Sequence, residues 1–535
     1  MKKNKLKVIV IGIDGACWEI IEECKKHFKL QGFSLFLEKG LHGVLKTVIP
    51  PATSPAWKCY STGLPPEKLD LFHWYVFDPK SKRIKLLTVK KNFKEIWDYL
   101  SEHGFKCVVI NTPLTYPKKI NGVLIAGPPL SGEKNFVYPK KYEKILKLLF
   151  KYRVCMRSTL QISNLLPEKI HLLLKTFGIL EILKLAYLRF KVAKYLWKKL
   201  SPDFMQVTIF YTDHAQHYLA NEFDKRLLLL LWKAIDRLLY NFIKSIEKTE
   251  KDNVIFILMS DHGHTHFKYT FLINNWLYRI GLLKIKLWPQ VKNSAKSILF
   301  NLIRKNKPIR TFLLSKLGYS FLYKRLSNRI AGLRIRDKHK TSVKEILYEF
   351  IRRVFKEHVF KLKITELVNV IDWKRTLAFA PDWYYIFINA DWNSKKFRKI
   401  REFLIKKLED MRTPSKSQVF SSVVPGEIIF PEDICKKYGF SIIFIPEKSV
   451  RIDVKFCFAN TCWMSVNHDE WSSVHTLKGI FGVYGRNLQT GKFIGEISIL
   501  ELAPMILSLF GIEKPNKLSE KVISLLRRKA VIISK

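Results

Sequence analysis

The sequence lacks the patterns that mark disulfide-rich, zinc-finger and membrane-spanning proteins. Its eight cysteines form no Cys-x-x-Cys pair and no framework spacing, so we expect reduced thiols and a cytoplasmic protein. The most apolar stretch, 165–188, is interrupted by charged residues and is not expected to span a membrane. The apolar run at 8–13 is too short for a signal peptide and ends at Asp14, which predicts a buried strand.

Acidic residues are also scarce. The chain has 46 Asp and Glu residues against 94 Lys and Arg residues, which gives a formal net charge of +48. Such a charge favours anionic partners: a nucleic acid, an anionic membrane surface or an anionic substrate. Between residues 284 and 340 the basic residues face a single acid, Asp337, and apolar residues recur at roughly helical intervals. This pattern is typical of a basic amphipathic helix on a membrane surface, and equally of a solvated helical insertion.

The apolar segments predict an α/β fold. Strand-like runs alternate with helical patterns, which is typical of a doubly wound, mostly parallel sheet with helices on both faces. These runs lie at 7–13, 107–110, 207–211 and 254–259. The pattern changes after Phe271, and we divide the chain into three parts. The first part of a catalytic α/β domain lies at 1–283 and contains a helical insertion at about 140–200. A basic helical and mixed insertion or cap follows at 284–450, and the second part of the catalytic domain lies at 451–535.

The segment 49–64, IPPATSPAWKCYSTGL, places a hydroxyl group where a helix is expected to begin. Ser54 is a favoured N-cap and Pro55 a favoured first helical residue, and the helix should end near Gly63. Thr53 would then face unpaired backbone N–H groups and the positive end of the helix dipole. That position suits a nucleophile that binds a phosphate-like anion, although a plain helix cap explains this segment equally when it is taken alone.

Three of the strand-like runs end in an aspartate: Asp14, Asp213 and Asp261. Ligands collect at the carboxyl ends of strands in open α/β sheets. Asp213 and His217 are four positions apart, so a helix would place both side chains on one face, while a turn at Gly263 can aim both Asp261 and His262 inward.

A further histidine, His475, precedes the strand-like run at 479–484 and is a third candidate for the same ion as Asp213. Asp and His side chains are ligands for zinc-type ions, and two such ions can stabilise the attacking and leaving oxygens of a displacement at phosphorus. We assign no role to the remaining histidines near these segments, His214, His264 and His266, because surface histidines are common.

Taken in order, these and further segments resemble the alkaline phosphatase superfamily, in its branch of type I phosphodiesterases and nucleotide pyrophosphatases. The segments are IGIDG, PPATSPAWKCYSTGLPPEK, NTPLTYPKKINGVLIAG, YTDHAQH, MSDHGH, FLINNWLYRIGLL, SVHTLKGIFGVYG and ELAPMILSLFGI. Two stretches depart from the family pattern: Gly-Phe-Ser-Ile at 439–442 and Leu-Ser-Glu at 518–520.

The resemblance implies an alkaline-phosphatase-like fold, two divalent ions, Zn²⁺ or else Mn²⁺, and Thr53 as the nucleophile. It also implies the ligands of each ion. These are Asp14, Thr53, Asp261 and His262 for one ion, and Asp213, His217 and His475 for the other.

The expected function is therefore metal-dependent hydrolysis of phosphate esters by a phosphodiesterase or nucleotide pyrophosphatase, through a phospho- or nucleotidyl-threonine intermediate. A phosphomonoesterase or phosphomutase of the same superfamily is the alternative within enzymes. A sulfatase is disfavoured, because no arginine follows Pro55 in the Cys-x-Pro-x-Arg context that such enzymes need. The alternative from another class is a membrane-surface or polyanion-binding protein that works through the basic insertion at 284–340, in the cytoplasm or peripheral at the membrane.

Overall fold

The computed structural model describes residues 6–86, 93–129, 134–157, 160, 168–219, 222–250, 253–286, 361–457, 461–465, 472–486, 488 and 490–512. The basic segment at 284–340 lies outside the described residues from 287 onwards, and so do residues 518–520.

The described strands, in chain order, are β1 Lys7–Ile13, β2 Leu41–Lys46, β3 Tyr75–Asp78, β4 Arg83–Leu86, β5 Cys107–Ile110, β6 Gly122–Ile125, β7 Val137–Tyr138, β8 Phe204–Ile209, β9 Val254–Met259, β10 Gly263–His266, β11 Tyr269–Leu272, β12 Lys361–Leu362, β13 Ala378–Asp382, β14 Tyr385–Ile388, β15 Phe420–Pro425, β16 Ile442–Pro446, β17 Val450–Asp453, β18 Phe456–Cys457, β19 Trp463–Ser465, β20 Ser473–Thr476, β21 Lys478–Tyr484 and β22 Lys492–Ser498. The described helices are α1 Trp18–His27, α2 Gly32–Leu37, α3 Thr53–Thr62, α4 Pro66–Leu69, α5 Ile96–Glu102, α6 Lys141–Phe150, α7 Glu168–Leu200, α8 Thr212–Tyr218, α9 Glu222–Glu247, α10 Ile273–Arg279, α11 Ile364–Val370, α12 Lys395–Glu409, α13 Glu432–Tyr438 and α14 Leu502–Leu509.

Within the described residues, nine strands form a central sheet in the order β22-β2-β21-β9-β1-β8-β5-β6-β7. The five neighbours β9, β1, β8, β5 and β6 run parallel. These strands are apolar along almost their whole length because both faces of the sheet are covered, as is usual for parallel sheets. The predicted doubly wound, mostly parallel sheet is confirmed. Since β1 lies between β8 and β9, the carboxyl ends of these three strands meet at one edge.

Alternate residues of β1 point to opposite faces and enter two hydrophobic cores. Ile9 and Ile11 pack with helices α1, α2, α7 and α9, whereas Val8 and Val10 pack with α3, α5 and α14. The period of two along a strand explains this division. Each helix layer buries one apolar face, and together the two layers hold the sheet rigidly beneath its carboxyl edge.

A second sheet, β13-β14-β16-β15, is antiparallel and lies within the segment predicted as an insertion. Helix α12 packs on it through Phe397, Leu404 and Leu408. The chain returns to the central sheet with β21 and β22. Among the residues the structure describes, no helix is both long enough and apolar enough to cross a membrane.

Several predicted elements differ in extent from those observed. The strand predicted at 207–211 is Phe204–Ile209, because the chain turns at Tyr211 to begin α8. The helical insertion predicted at about 140–200 contains α6 and the 33-residue helix α7.

Candidate metal centre and nucleophile

Three buried aspartates stand at the carboxyl edge of the central sheet. Asp14 follows β1, Asp261 follows β9, and Asp213 lies in the first turn of α8, just after β8. Gly15 turns the chain after Asp14 with a φ of 69°, and its N–H donates to Oδ1 of Asp261 (3.1 Å). A Cβ at this position would lie 2.6 Å from the His264 ring, so glycine is required both for the conformation and for the close approach.

Helix α3 delivers Thr53 to this edge. The helix begins at Thr53, two residues earlier than predicted, because the carbonyl of Ala52 accepts from the N–H of Ala56 (3.1 Å) and makes Ala52 the N-cap. The prediction of Ser54 as the cap is therefore wrong: its Oγ is buried and makes no hydrogen bond. Gly63 ends the helix in the left-handed conformation, as expected.

The first cluster contains Asp14, Asp261 and His262, whose candidate ligand atoms all lie within 4.8 Å of one another. Nε2 of His262 is 3.2 Å from Oδ2 of Asp261 and 3.9 Å from Oδ1 of Asp14. Oγ1 of Thr53 lies 3.2 Å from the same nitrogen. The indole N–H of Trp57, one turn further along α3, donates to Oδ2 of Asp14 (2.9 Å) and orients that carboxylate.

The second cluster contains Asp213, His217, His475 and also His264. Oδ1 of Asp213 is 3.4 Å from Nε2 of His217, 3.2 Å from Nε2 of His475 and 3.1 Å from Nε2 of His264. Asp213 and His217 lie on one face of α8, as their spacing predicts. His475 lies on β20 rather than in a loop, and β20 pairs with β10 so that His475 is directly opposite His264.

The imidazole rings of both clusters are held by backbone carbonyls. Nδ1 of His217 is 3.1 Å from the carbonyl of Ser473, and Nδ1 of His475 is 2.8 Å from that of Pro51. A carbonyl oxygen only accepts, so each Nδ1 carries the proton and each Nε2 directs its lone pair into the cluster. These two Nε2 atoms are 2.9 Å apart. Two facing nitrogens at that distance need a proton or a metal ion between them, and carbonyl-bound histidine is the usual arrangement around metals.

Buried polar atoms without hydrogen bonds also point to cations. Oδ1 of Asp14 and Oδ2 of Asp261 are buried and make no hydrogen bond. Burying a polar atom costs folding free energy unless a hydrogen-bond partner or a bound ion compensates for the lost water. Carboxylate oxygens and imidazole nitrogens are ligands that zinc and manganese accept, so the residues of both clusters fit divalent cations.

The electrostatics of the site follow from burial. Burial and the neighbouring carboxylates of Asp261 and Asp213 raise the pKa of Asp14 well above its usual value. Burial also raises the pKa of Asp261, to about 7. At Asp213 burial acts in the same direction, but His217 and the other histidines outweigh it and hold the pKa well below its usual range. The carboxylates therefore oppose one another's ionisation, and positive charge within the site would favour their ionised forms.

The structure brings together every residue predicted for the site, namely Asp14, Thr53, Asp213, His217, Asp261, His262 and His475. The sequence analysis assigned no role to His264, which joins the second cluster. Its signal is weak in the sequence, because only the long-range pairing of β10 with β20 places it opposite His475. His214 and His266 belong to neither cluster.

The doubly wound sheet gathers acidic, imidazole and hydroxyl side chains at its carboxyl edge, which is the kind of site expected of a hydrolase. The chain belongs to the type I phosphodiesterase / nucleotide pyrophosphatase family, whose sequence model matches residues 8–385. It is therefore a phosphoric ester hydrolase.

Two solved structures are similar to this chain over nearly its whole length, at low sequence identity. Phosphonoacetate hydrolase from Sinorhizobium meliloti, in complex with phosphonoformate, is similar with a TM-score of 0.52 and 10% identity, over 94% of this chain and 95% of that chain. Murine ectonucleotide pyrophosphatase / phosphodiesterase 5 is similar with a TM-score of 0.47 and 13% identity, over 97% of this chain and 99% of that chain. No curated protein matches the chain in a sequence comparison.

Proposed function

We propose that the protein is a phosphodiesterase or nucleotide pyrophosphatase that uses two divalent cations, Zn²⁺ or else Mn²⁺, and Thr53 as its nucleophile. One observation carries the proposal. Nε2 of His262 lies 3.2 Å from Oγ1 of Thr53 and within 4.0 Å of a carboxylate oxygen of each aspartate, Asp14, Asp213 and Asp261. The hydroxyl group therefore stands at the junction of the two clusters.

The first cluster, with the hydroxyl of Thr53, would hold one cation. Asp213, His217 and His475 would hold the other. When bound, two divalent cations supply charge that stabilises the phosphoryl oxygens in the transition state and favours ionisation of the threonine hydroxyl.

The chain's own groups then carry the reaction in two displacements. Oγ1 of Thr53 forms a bond to phosphorus as the bond to the leaving oxygen breaks, and that oxygen keeps the electron pair and takes a proton from solvent. Water then attacks the phosphorylated Thr53, and Oγ1 regains a proton. The N–H groups of Thr53 and Ser54, in the first turn of α3, have no acceptor within the helix and would donate to the phosphoryl oxygens.

Hydrolysis of bis-p-nitrophenyl phosphate, a diester, tests this proposal with wild type, Thr53→Ala and Thr47→Ala, each loaded with Zn²⁺ or Mn²⁺. Thr47 is the matched control, because it is also a buried threonine whose Oγ1 makes no hydrogen bond, and it belongs to neither cluster. We expect Thr53→Ala to lose at least ~10³-fold in rate and Thr47→Ala to stay within about threefold. Equal rates for Thr53→Ala and wild type would refute the nucleophile.

The same assay with p-nitrophenyl phosphate decides between a diesterase and the phosphomonoesterase alternative. We propose the diesterase, since family membership supports it.

The division into 1–283, 284–450 and 451–535 is likewise our proposal, supported by the separate second sheet and by the return of β21 and β22 to the central sheet. Polyanion or membrane binding through 284–340 stays a prediction, because those residues lie outside the described part of the chain from 287 onwards.

A further inference from the structure

Helix α7 is much longer than the strand that follows it. Its 33 residues span about 50 Å, whereas the six residues of β8 span about 20 Å. The C-terminus of α7 joins the start of β8 through residues 201–203, and Ile182 and Arg189 line the same small cavity as Ile209 and Tyr211 at the end of β8. The part of α7 before Ile182 therefore extends beyond the carboxyl edge, on the side of the sheet that carries the metal centre.

The outer face of this helix is apolar and exposed. Leu173, Phe177, Leu180 and Tyr187 are 53%, 56%, 54% and 52% exposed. At 100° per residue these four positions, with Lys184 and Lys191, fall within an arc of about 80°. The opposite face of α7 is buried in the core against α9. An exposed apolar surface of this kind marks an interaction site, because water-exposed apolar side chains seldom cluster without a partner.

Helix α6 extends the same surface. Leu148 and Leu149, near its end, are 68% and 65% exposed. Nζ of Lys191 joins the two helices, since it lies 5.8 Å from the centre of the Phe150 ring and 5.9 Å from that of Tyr187. We call this combined area the α6–α7 surface, defined by Leu148, Leu149, Leu173, Phe177, Leu180, Lys184, Tyr187 and Lys191.

The charge around these side chains is positive. Lys184 and Lys191 lie within the apolar strip, and Lys144 and Lys198 are exposed beside it. Two acidic side chains nearby are already in ion pairs, Glu181 with Arg153 (2.7 Å) and Glu143 with Lys147 (2.6 Å). A lysine can lay its aliphatic stem along an apolar surface while its ammonium group reaches an anionic head group.

We propose that the α6–α7 surface binds an anionic lipid bilayer, with its leucine and phenylalanine side chains in the interface and its lysines on the phosphates of the head groups. An apolar strip with lysines among it has the composition of an interfacial helix. A second copy of this chain fits the surface poorly, since it would bring a further net charge of +48 and the same lysines. The proposal is independent of the proposed function, and it places the catalytic edge beside a membrane.

Co-sedimentation of the full chain with vesicles tests this inference. One set of vesicles contains phosphatidylcholine alone and the other contains phosphatidylcholine with phosphatidylglycerol. We expect binding to the anionic vesicles, weaker binding to the neutral ones, and loss of binding as salt is raised. The triple variant Leu173→Ser, Phe177→Ser, Leu180→Ser should bind the anionic vesicles at least ~10-fold more weakly. Lys184→Glu with Lys191→Glu should weaken binding to a similar extent.

Matched control variants test whether vesicle binding depends on the α6–α7 surface or on exposed apolar and charged side chains in general. Leu86→Ser, Ile428→Ser and Phe493→Ser remove three exposed apolar side chains elsewhere, and Lys396→Glu with Lys399→Glu reverses two exposed lysines on α12. Both controls should bind within about twofold of wild type. Circular dichroism and urea unfolding of each variant report its folding and do not depend on the proposed function.

Three outcomes would overturn the inference. Wild type could fail to bind anionic vesicles, or the triple variant could bind as well as wild type, which would place the binding elsewhere, for example in 287–360. Size-exclusion chromatography with light scattering could also give a dimer for wild type and a monomer for the triple variant. A second copy would then be the occupant of the surface.

Discussion

Oγ1 of Thr53 lies 3.2 Å from Nε2 of His262, although 209 residues separate them in the chain. The start of α3 positions the hydroxyl, and the turn after β9 positions the imidazole. Both side chains are buried, so their separation is set by the packing of α3 against the central sheet rather than by mobile loops. The proposed nucleophile and a candidate ligand are therefore held together before any substrate arrives, which is the kind of preorganisation that catalysis requires.

Trp57 should control the affinity of the first cluster for its cation. Its indole N–H donates to Asp14 (2.9 Å), and loss of such a contact to a ligand typically lowers metal affinity 10- to 100-fold. We expect Trp57→Phe to lower the affinity by about that factor in a titration against a competing chelator. Trp97→Phe is the matched control, because Trp97 is equally buried and its Nε1 makes no hydrogen bond. Equal affinities in the two variants would show that the hydrogen bond from Trp57 does not affect cation binding.

Gly15 should be intolerant of a methyl group for two separable reasons. Its φ of 69° strains any other residue, and a Cβ would lie 2.6 Å from the His264 ring. Gly104 has a φ of 79° with nothing near its Cβ position, so Gly104→Ala measures the strain alone. We expect Gly104→Ala to cost about 1 kcal/mol of unfolding free energy in urea, and Gly15→Ala to cost more and to lower metal content. Equal losses would mean that the contact with His264 is relieved without cost.

His264 should strengthen the second cluster. Its Nε2 is 3.1 Å from Oδ1 of Asp213, beside His217 and His475. We expect His264→Ala to weaken binding of one of two cations by at least ~10-fold, and to change the visible spectrum of the Co²⁺-loaded protein. His266→Ala, two residues further along the same strand and exposed, should leave both unchanged. An unaltered spectrum and affinity in His264→Ala would exclude His264 from the cation site.

Asp382 should make the metal-free protein lose stability as pH rises. Burial raises its pKa to about 7, although the N–H of Trp383 and the hydroxyl of Tyr75 act in the opposite direction. The unfolded chain releases this proton near pH 4 and the folded chain only near pH 7, so stability falls between these values. Asp382→Asn removes that loss. In urea unfolding, its free energy relative to wild type should rise by roughly 2 kcal/mol from about pH 5 to about pH 8.

The control for this experiment is Asp391→Asn, which neutralises an exposed carboxylate near the same sheet. Its free energy of unfolding relative to wild type should be the same at both pH values. If Asp382→Asn behaves like this control, the carboxyl group of Asp382 is ionised in the folded protein at both pH values.

Local patterns in the sequence predicted the strands and the helix that carry the aspartates of the site. The β-branched runs that form β1 and β9 end directly before Asp14 and near Asp261, and the spacing of Asp213 and His217 defines one face of α8. One residue whose position depends on long-range packing was not predicted. His264 joins the site only through the pairing of β10 with β20, and the register of two strands 200 residues apart leaves no local signal.

One local prediction failed for a physical reason. Ser54 has the preferred chemistry of an N-cap, but the carbonyl of Ala52 takes the first helical hydrogen bond, which leaves Ser54 inside the helix. One of the charged residues that interrupt the apolar stretch at 165–188 is itself buried. Lys175 is buried in an ion pair with Asp224 of α9, so a charge that looked like an interruption is part of the packed face.

The stereochemistry of hydrolysis at phosphorus tests the central claim most directly. Each in-line displacement inverts the configuration, so an intermediate on Thr53 followed by attack of water gives net retention, whether or not the intermediate accumulates. The measurement uses a phosphorothioate diester of known configuration, hydrolysed by the metal-loaded enzyme in water enriched in the heavy oxygen isotope. We predict a product with retained configuration. An inverted product would mean that water attacks phosphorus directly and that Thr53 is not the nucleophile.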